Sequence, residues 1–94
     1  MIMSQKTVHV YIKGKVQGVW FRATTREQAE KLGINGWVRN MNDGRVEALF
    51  EGQAENVDKI VDWCHQGSPL ANVKDVKVQE LEKPVGCSDF KVKR

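Results

Sequence analysis

Ninety-four residues, 40% of them apolar, can bury one hydrophobic core but not two, so a single domain over residues 1–94 is expected, with its core at about 7–92. The net charge of +3 is unevenly held, eight Lys/Arg against four Asp/Glu in residues 1–50 and seven against eight in 51–94, with no basic block of the kind that marks a nucleic-acid tail. No apolar run has the length of a signal peptide or membrane span, and Cys64, Cys87, His9 and His65 form no CxxC or zinc pattern; a cytoplasmic chain with no metal, no cofactor and reduced thiols is expected, a Cys64–Cys87 disulfide being the less favoured alternative.

Residues Thr7 to Lys13 alternate, Val8, Val10 and Ile12 against His9, Tyr11 and Lys13, which predicts a half-buried strand. A loop containing Gly14 and Gly18 follows. From Phe21 or Arg22 to Leu32, apolar and small residues (Phe21, Thr25, Ala29, Leu32) recur at helical spacing, and Gly33 before Ile34 has the form of a helix stop. Gly36–Met41 and Arg45–Glu51 read as strands joined through Asn42-Asp43-Gly44, residues that tolerate positive φ, so the two are expected to pair antiparallel. Ala54–Gln66 sets Val57, Ile60, Val61 and Cys64 on one face and Asp58, Lys59 and Asp62 on the other, a second helix ended by Gly67. Beyond the Gly67-Ser68-Pro69 turn, Val73–Leu81 is expected as a strand with Val76 and Val78 inward, and a short last strand passes through Phe90 and Val92. The predicted sum is a ferredoxin-like α+β fold, a βαββαβ sandwich whose antiparallel sheet carries two helices on one face and a short extra C-terminal strand. That fold hosts enzymes, ligand sensors and RNA binders alike, so function must come from a site.

One stretch stands out. Gly14-Lys-Val-Gln-Gly-Val-Trp-Phe-Arg22 opens a helix with an arginine, although the positive end of the helix dipole favours an anion there. Two glycines before it allow a tight loop whose backbone N–H groups, from Lys15 through Val16, Gln17, Gly18 and Val19 to Trp20, point with the Arg22 guanidinium at one anion. Asn40 lies in a strand beside a turn. Neither histidine nor either cysteine falls in the loop, and no nucleophile stands next to a base, so covalent catalysis has little support. A site of this kind suits a reaction in which positioning and charge stabilisation suffice. A phosphate monoester has a poor leaving group and demands more; an acyl phosphate releases a carboxylate already stable at neutral pH. Arg22 is expected to grip the phosphate, the loop amides to complete its shell, and Asn40 to orient a water, with the substrate's own phosphate oxygen taking the proton.

The residues Ile12-Lys-Gly14-Lys-Val16-Gln17-Gly18-Val19-Trp-Phe21-Arg22 resemble the first signature of the acylphosphatases, and Gly36-Trp37-Val38-Arg39-Asn40, with Gly44, Val46 and Gly52 after it, resembles their second. The similarity runs from about Val8 to Val92. It implies hydrolysis of acyl phosphates to a carboxylate and inorganic phosphate without a metal, on a ferredoxin-like fold, with Arg22 as catalytic arginine, Asn40 as water-positioning asparagine and Lys15–Trp20 as phosphate-binding loop. The implied partners are a small-molecule acyl phosphate and inorganic phosphate, the latter as product and inhibitor; no nucleic acid, no membrane and a monomer are expected.

Blander roles fit the other candidates. Trp20 fills a variable slot of the first signature, and its favoured reading is packing at the loop's rim, ahead of restricting access or receiving an apolar acyl group. Lys13, Lys15 and Arg39 are expected as solvated charges adding field at the mouth of the site, and His9 as an exposed strand residue. Two other functions stay open at this level: a non-catalytic phosphate- or metabolite-binding module, and a single-stranded RNA binder using rings on the sheet. Against the second, the third strand exposes Glu47, Leu49 and Glu51, with no aromatic run.

Overall fold

Alternation in the first strand decides the layering of the molecule. The computed structural model describes residues 4–93 and arranges them as β1 (Gln5–Lys15), α1 (Phe21–Leu32), β2 (Asn35–Asn40), β3 (Val46–Gln53), α2 (Ala54–Gln66), β4 (Asn72–Leu81) and β5 (Phe90–Val92). Val8, Val10 and Ile12 of β1 lie opposite Phe50, Ala48 and Val46 of β3, and Val38 of β2 lies opposite Ala48, so all seven share one sheet face. Both helices pack on that face. Their buried residues, Phe21 and Ala29 from α1 and Val57, Ile60 and Cys64 from α2, join these strand residues in one core. Fully burying a residue such as Phe21 or Phe50 contributes about 1.5–3 kcal/mol.

The sheet order is β4-β1-β3-β2-β5. Pairings among β1 to β4 are antiparallel, whereas β5 runs parallel to β2, so the ferredoxin-like sheet is mixed and its expected wholly antiparallel character holds for four strands. The reason lies in the chain path: residues 82–89 carry the chain from one sheet edge to the other. Glu51 secures that loop, accepting hydrogen bonds from Thr7 Oγ1 at 2.8 Å and from the amides of Val85, Gly86 and Cys87 at 2.6, 3.0 and 2.9 Å.

The sheet face away from the helices departs from the sequence reading. Glu47 and Leu49 are buried, not exposed, and Glu51 is half-buried. Glu47 accepts hydrogen bonds from both Arg39 Nε and His9 Nε2, while His9 lies against Tyr11 and Trp37 at ring separations of 4.6 and 5.8 Å. His9 is thus a partner of a buried carboxylate, and Arg39 is committed to that carboxylate instead of the mouth of the site. Side chains alone cover this face. On the helix side, Val78 shares a face with Val10, as expected, yet stays 47% exposed because β4 is an edge strand with no neighbour beyond it.

Candidate functional site

The chain leaves β1 through an irregularity. Register with β4 shifts between Lys13 and Gly14, and Gly14 has φ 132° with its α-carbon so close to β4 that a Cβ would collide with the Asn72 carbonyl and the Lys74 amide. Lys15 is still paired with Asn72 inside β1, so the loop proper spans residues 16–20, one residue shorter than its sequence reading. Val16 and Val19 send their side chains into the core, anchoring the loop while its backbone crosses the surface.

Two side chains tie the loop in place. Gln17 Nε2 donates to the carbonyls of Met41 and Arg45 at 2.7 and 2.9 Å, the two ends of the β2–β3 turn. Ser68, buried after α2, donates to the Val19 carbonyl at 2.7 Å. The loop then enters α1 through Trp20, at φ 64° and ψ 19°, the left-handed region that costs an L residue about 1–2 kcal/mol. No side chain caps this helix, and no acidic residue occupies its first turn. Its first N–H groups therefore meet an anion-favouring end without an internal anion. Beneath, Phe21 is buried against Trp63 at 5.4 Å, fixing the first turn to α2.

Arg22 follows on the surface beside this anchored residue. Its Nη1 donates to the Lys93 carbonyl at 2.9 Å, and the Lys93 amide in turn donates to the Val38 carbonyl at 2.8 Å, so chain beyond β5 holds the guanidinium against β2. Asn40 ends β2. It lies opposite Val46, on the helix-bearing face, whereas Arg39 points away. Asn40 Oδ1 is buried and has no hydrogen-bond partner among the described residues, a costly state for an acceptor unless a ligand or water completes it.

These pieces meet in one open cleft of about 350 Å³, lined by Val16, Gly18, Trp20, Phe21, Arg22, Ala23, Asn40 and Val92. Of the candidate site residues, Arg22, Asn40, Val16, Gly18 and Trp20 line it. Lys15, Gln17 and Val19 do not: Lys15 is in the strand, Gln17 is turned to the hairpin and Val19 is in the core. A larger hollow of about 550 Å³ lies elsewhere, formed by Tyr11, Lys13, Arg45, Lys74 and Lys77 among others, and shares no residue with the cleft. Lys13 belongs to that hollow and not to the mouth of the site.

Trp20 contradicts its favoured reading. Its side chain is not packed at the rim but 76% exposed. The supporting residues Gln17, Ser68 and Lys93 had roles that the sequence reading missed. Gln17 sits inside the conspicuous loop and was read for its backbone alone; Lys93 acts through a carbonyl, which no residue type signals. Cys64 and Cys87 are both free, and burial pushes the Cys64 thiol far up, leaving it inert as a nucleophile.

A family model described as acylphosphatase matches residues 8–92. The acylphosphatase of Rubrobacter xylanophilus is 56% identical over 88 residues, covering 94% of this chain and 80% of that protein. The acylphosphatase of Haloarcula marismortui is 54% identical over 91 residues, covering 97% and 99%. Among solved structures, the acylphosphatase from Bacillus subtilis superposes with a TM-score of 0.92 at 35% identity, covering 95% of this chain and 99% of that one.

Proposed function

Since the chain belongs to the acylphosphatase family, and is thereby an enzyme hydrolysing acyl phosphates, we propose that the cleft does this by position and charge alone. In this reading the amides of the loop and of the first turn of α1, with the guanidinium of Arg22, hold the phosphoryl oxygens. Arg22 is well suited: Lys93 takes one donor and thereby orients the fork, and the others are left for oxygen ligands. Lys15, at the end of β1, adds positive field without being a ligand.

The single observation behind the assignment of the water site is Asn40 Oδ1, buried in the cleft wall with its acceptor capacity unused. A water donating to it is held on the side of the phosphoryl group that faces β2. In-line attack of that water forms the new P–O bond while the bond to the acyl oxygen breaks; the electron pair leaves with the carboxylate, and the proton passes to a phosphate oxygen. The carboxylate is a good leaving group, so no acid is needed to protonate it. Negative charge spreading over the phosphoryl oxygens is met by N–H dipoles and the guanidinium, which is what a preorganised site supplies, and the step as written needs no metal. Released phosphate occupies the same cradle and inhibits competitively. We read the enzyme as a cytoplasmic monomer: its two free thiols suit a reducing compartment, and every group assigned to the site comes from one chain.

The test is release of carboxylate and phosphate from an aromatic acyl phosphate with a metal chelator present, for the wild type and Arg22→Ala. Turnover by the wild type, unaffected by chelator and lost in the variant, is expected. Equal turnover by the two proteins sinks the role of Arg22, and loss of wild-type turnover in chelator sinks the metal-free step.

A further inference from the structure

Trp20 is the only non-glycine residue among those described with positive φ, in a conformation disfavoured for any L side chain. Packing does not compensate for it. Trp37 is seated against His9 and under the Lys93 ammonium, and Trp63 against Phe21, but the Trp20 ring has no aromatic or cationic partner among the described residues and is 76% exposed. A large apolar ring held out of the core by a disfavoured backbone is unusual, and it stands where the cleft opens.

The cleft has two ends of different chemistry. Arg22, Asn40 and the loop form a polar end, whereas Trp20, Ala23 and Val92, the last 37% exposed, form an apolar rim contributed by the loop, α1 and β5. In-line displacement puts the leaving carboxylate opposite the attacking water, so the acyl group has to leave the cradle away from Asn40. An apolar rim beside the cradle gives that group a surface on which to shed water. We propose that Trp20, with Ala23 and Val92, forms an acyl subsite that selects substrates with a flat, apolar acyl group, an aromatic acyl phosphate over an acetyl-sized one. This rests on the reading of the cleft as the acyl phosphate site. The indole offers a planar face for offset stacking, and Val92 a branched side chain for the ring's edge. An acetyl group is too small to cover either.

The experiment compares kcat/KM for benzoyl phosphate and acetyl phosphate in the wild type, Trp20→Gly and Trp20→Phe. Whatever each substitution does to both rates together, the benzoyl-to-acetyl ratio isolates the acyl contact. Trp20→Gly is expected to lower the ratio by about three- to tenfold, the range that an aromatic stacking pair supplies, while Trp20→Phe keeps most of it. Thermal unfolding separates this from a structural role: glycine accepts the backbone conformation, so Trp20→Gly should melt no lower than wild type. An unchanged ratio in the folded glycine variant overturns the subsite, as does a glycine variant whose lowered ratio comes with a lowered melting temperature that Trp20→Phe fails to correct. Failure of the underlying reading looks different: the wild type would turn over neither substrate, and the subsite would fall with it.

Discussion

Replacing Gln17 with Ala removes the two hydrogen bonds that join the phosphate loop to the hairpin carrying Asn40, at 2.7 Å to Met41 and 2.9 Å to Arg45. Each neutral bond contributes about 0.5–1.5 kcal/mol net. Neither acceptor is orphaned, because the Gly44 amide still donates to the Met41 carbonyl at 3.2 Å and the Met41 amide to the Arg45 carbonyl at 2.8 Å. The loss therefore falls in the lower half of the summed range, about 1–2 kcal/mol, and lowers the melting temperature by roughly 5–10 °C for a chain of this size. Function responds more than stability. With the tie gone, the loop amides and Asn40 lose their fixed separation, so phosphate inhibition weakens and kcat/KM falls together with it. Thermal unfolding by circular dichroism and inhibition by inorganic phosphate measure the two effects. Gln17→Glu should be worse than Gln17→Ala, since it faces two carbonyls with a carboxylate and not a donor. A Gln17→Ala protein with wild-type melting and wild-type phosphate inhibition would refute the idea that this side chain positions the cradle.

Two further predictions concern stability. For Glu47 and Glu51, burial pushes the carboxyl pKa up, but bonds from Arg39 and His9 to the first, and from Thr7 and three loop amides to the second, outweigh it and hold both below the ordinary value of 4.5. The folded pKa being the lower one, the stabilisation is complete above the unfolded value and is lost as pH falls through the folded one, so the unfolding free energy should decline below about pH 4.5. In Glu51→Gln the decline should be shallower, the gap from wild type closing with acid; a gap constant from about pH 6 to about pH 3, measured by urea unfolding, would count against the linkage. Gly14→Ala should cost more than about 2 kcal/mol because its Cβ meets β4 backbone, whereas Gly18→Ala, with nothing within 4 Å of the added carbon, should cost only the φ strain of about 1 kcal/mol. Equal destabilisation in the two variants would show that the close approach of β1 to β4 is not what requires Gly14.

Much of this architecture was legible because its signals are local and periodic. Alternation in Thr7–Lys13, the helical spacing from Phe21 and from Val57, and Asn42-Asp43-Gly44 each act within a few residues and fixed four strands, two helices and the hairpin. The direction of β5 was not legible, since three residues after a loop of eight carry no pairing signal of their own. Burial of Glu47 and Leu49 was misread for a related reason. Alternation says which face a residue takes, not that Tyr11, Trp37, His9 and Arg39 will cover a face no helix packs on. In the site, the candidates with a distinctive backbone or charge, Gly18 and Arg22, were readable, and parity in β2 puts Asn40 on the helix side with them. The scaffold behind them was not. A glutamine tied across 24 residues and a carbonyl that orients an arginine 71 residues away are facts of the tertiary structure.

The central claim is a division of labour in which Arg22 and the loop hold phosphate and Asn40 holds the water. Turnover and phosphate inhibition of Asn40→Ala, measured on the same preparation, test it most directly. The account predicts that kcat falls by about 10²–10³-fold, the range for losing one preorganised polar contact, while the phosphate inhibition constant stays within about twofold of wild type. A phosphate constant that weakens in step with kcat, or a kcat left intact, would contradict it and return Asn40 to the framework of β2.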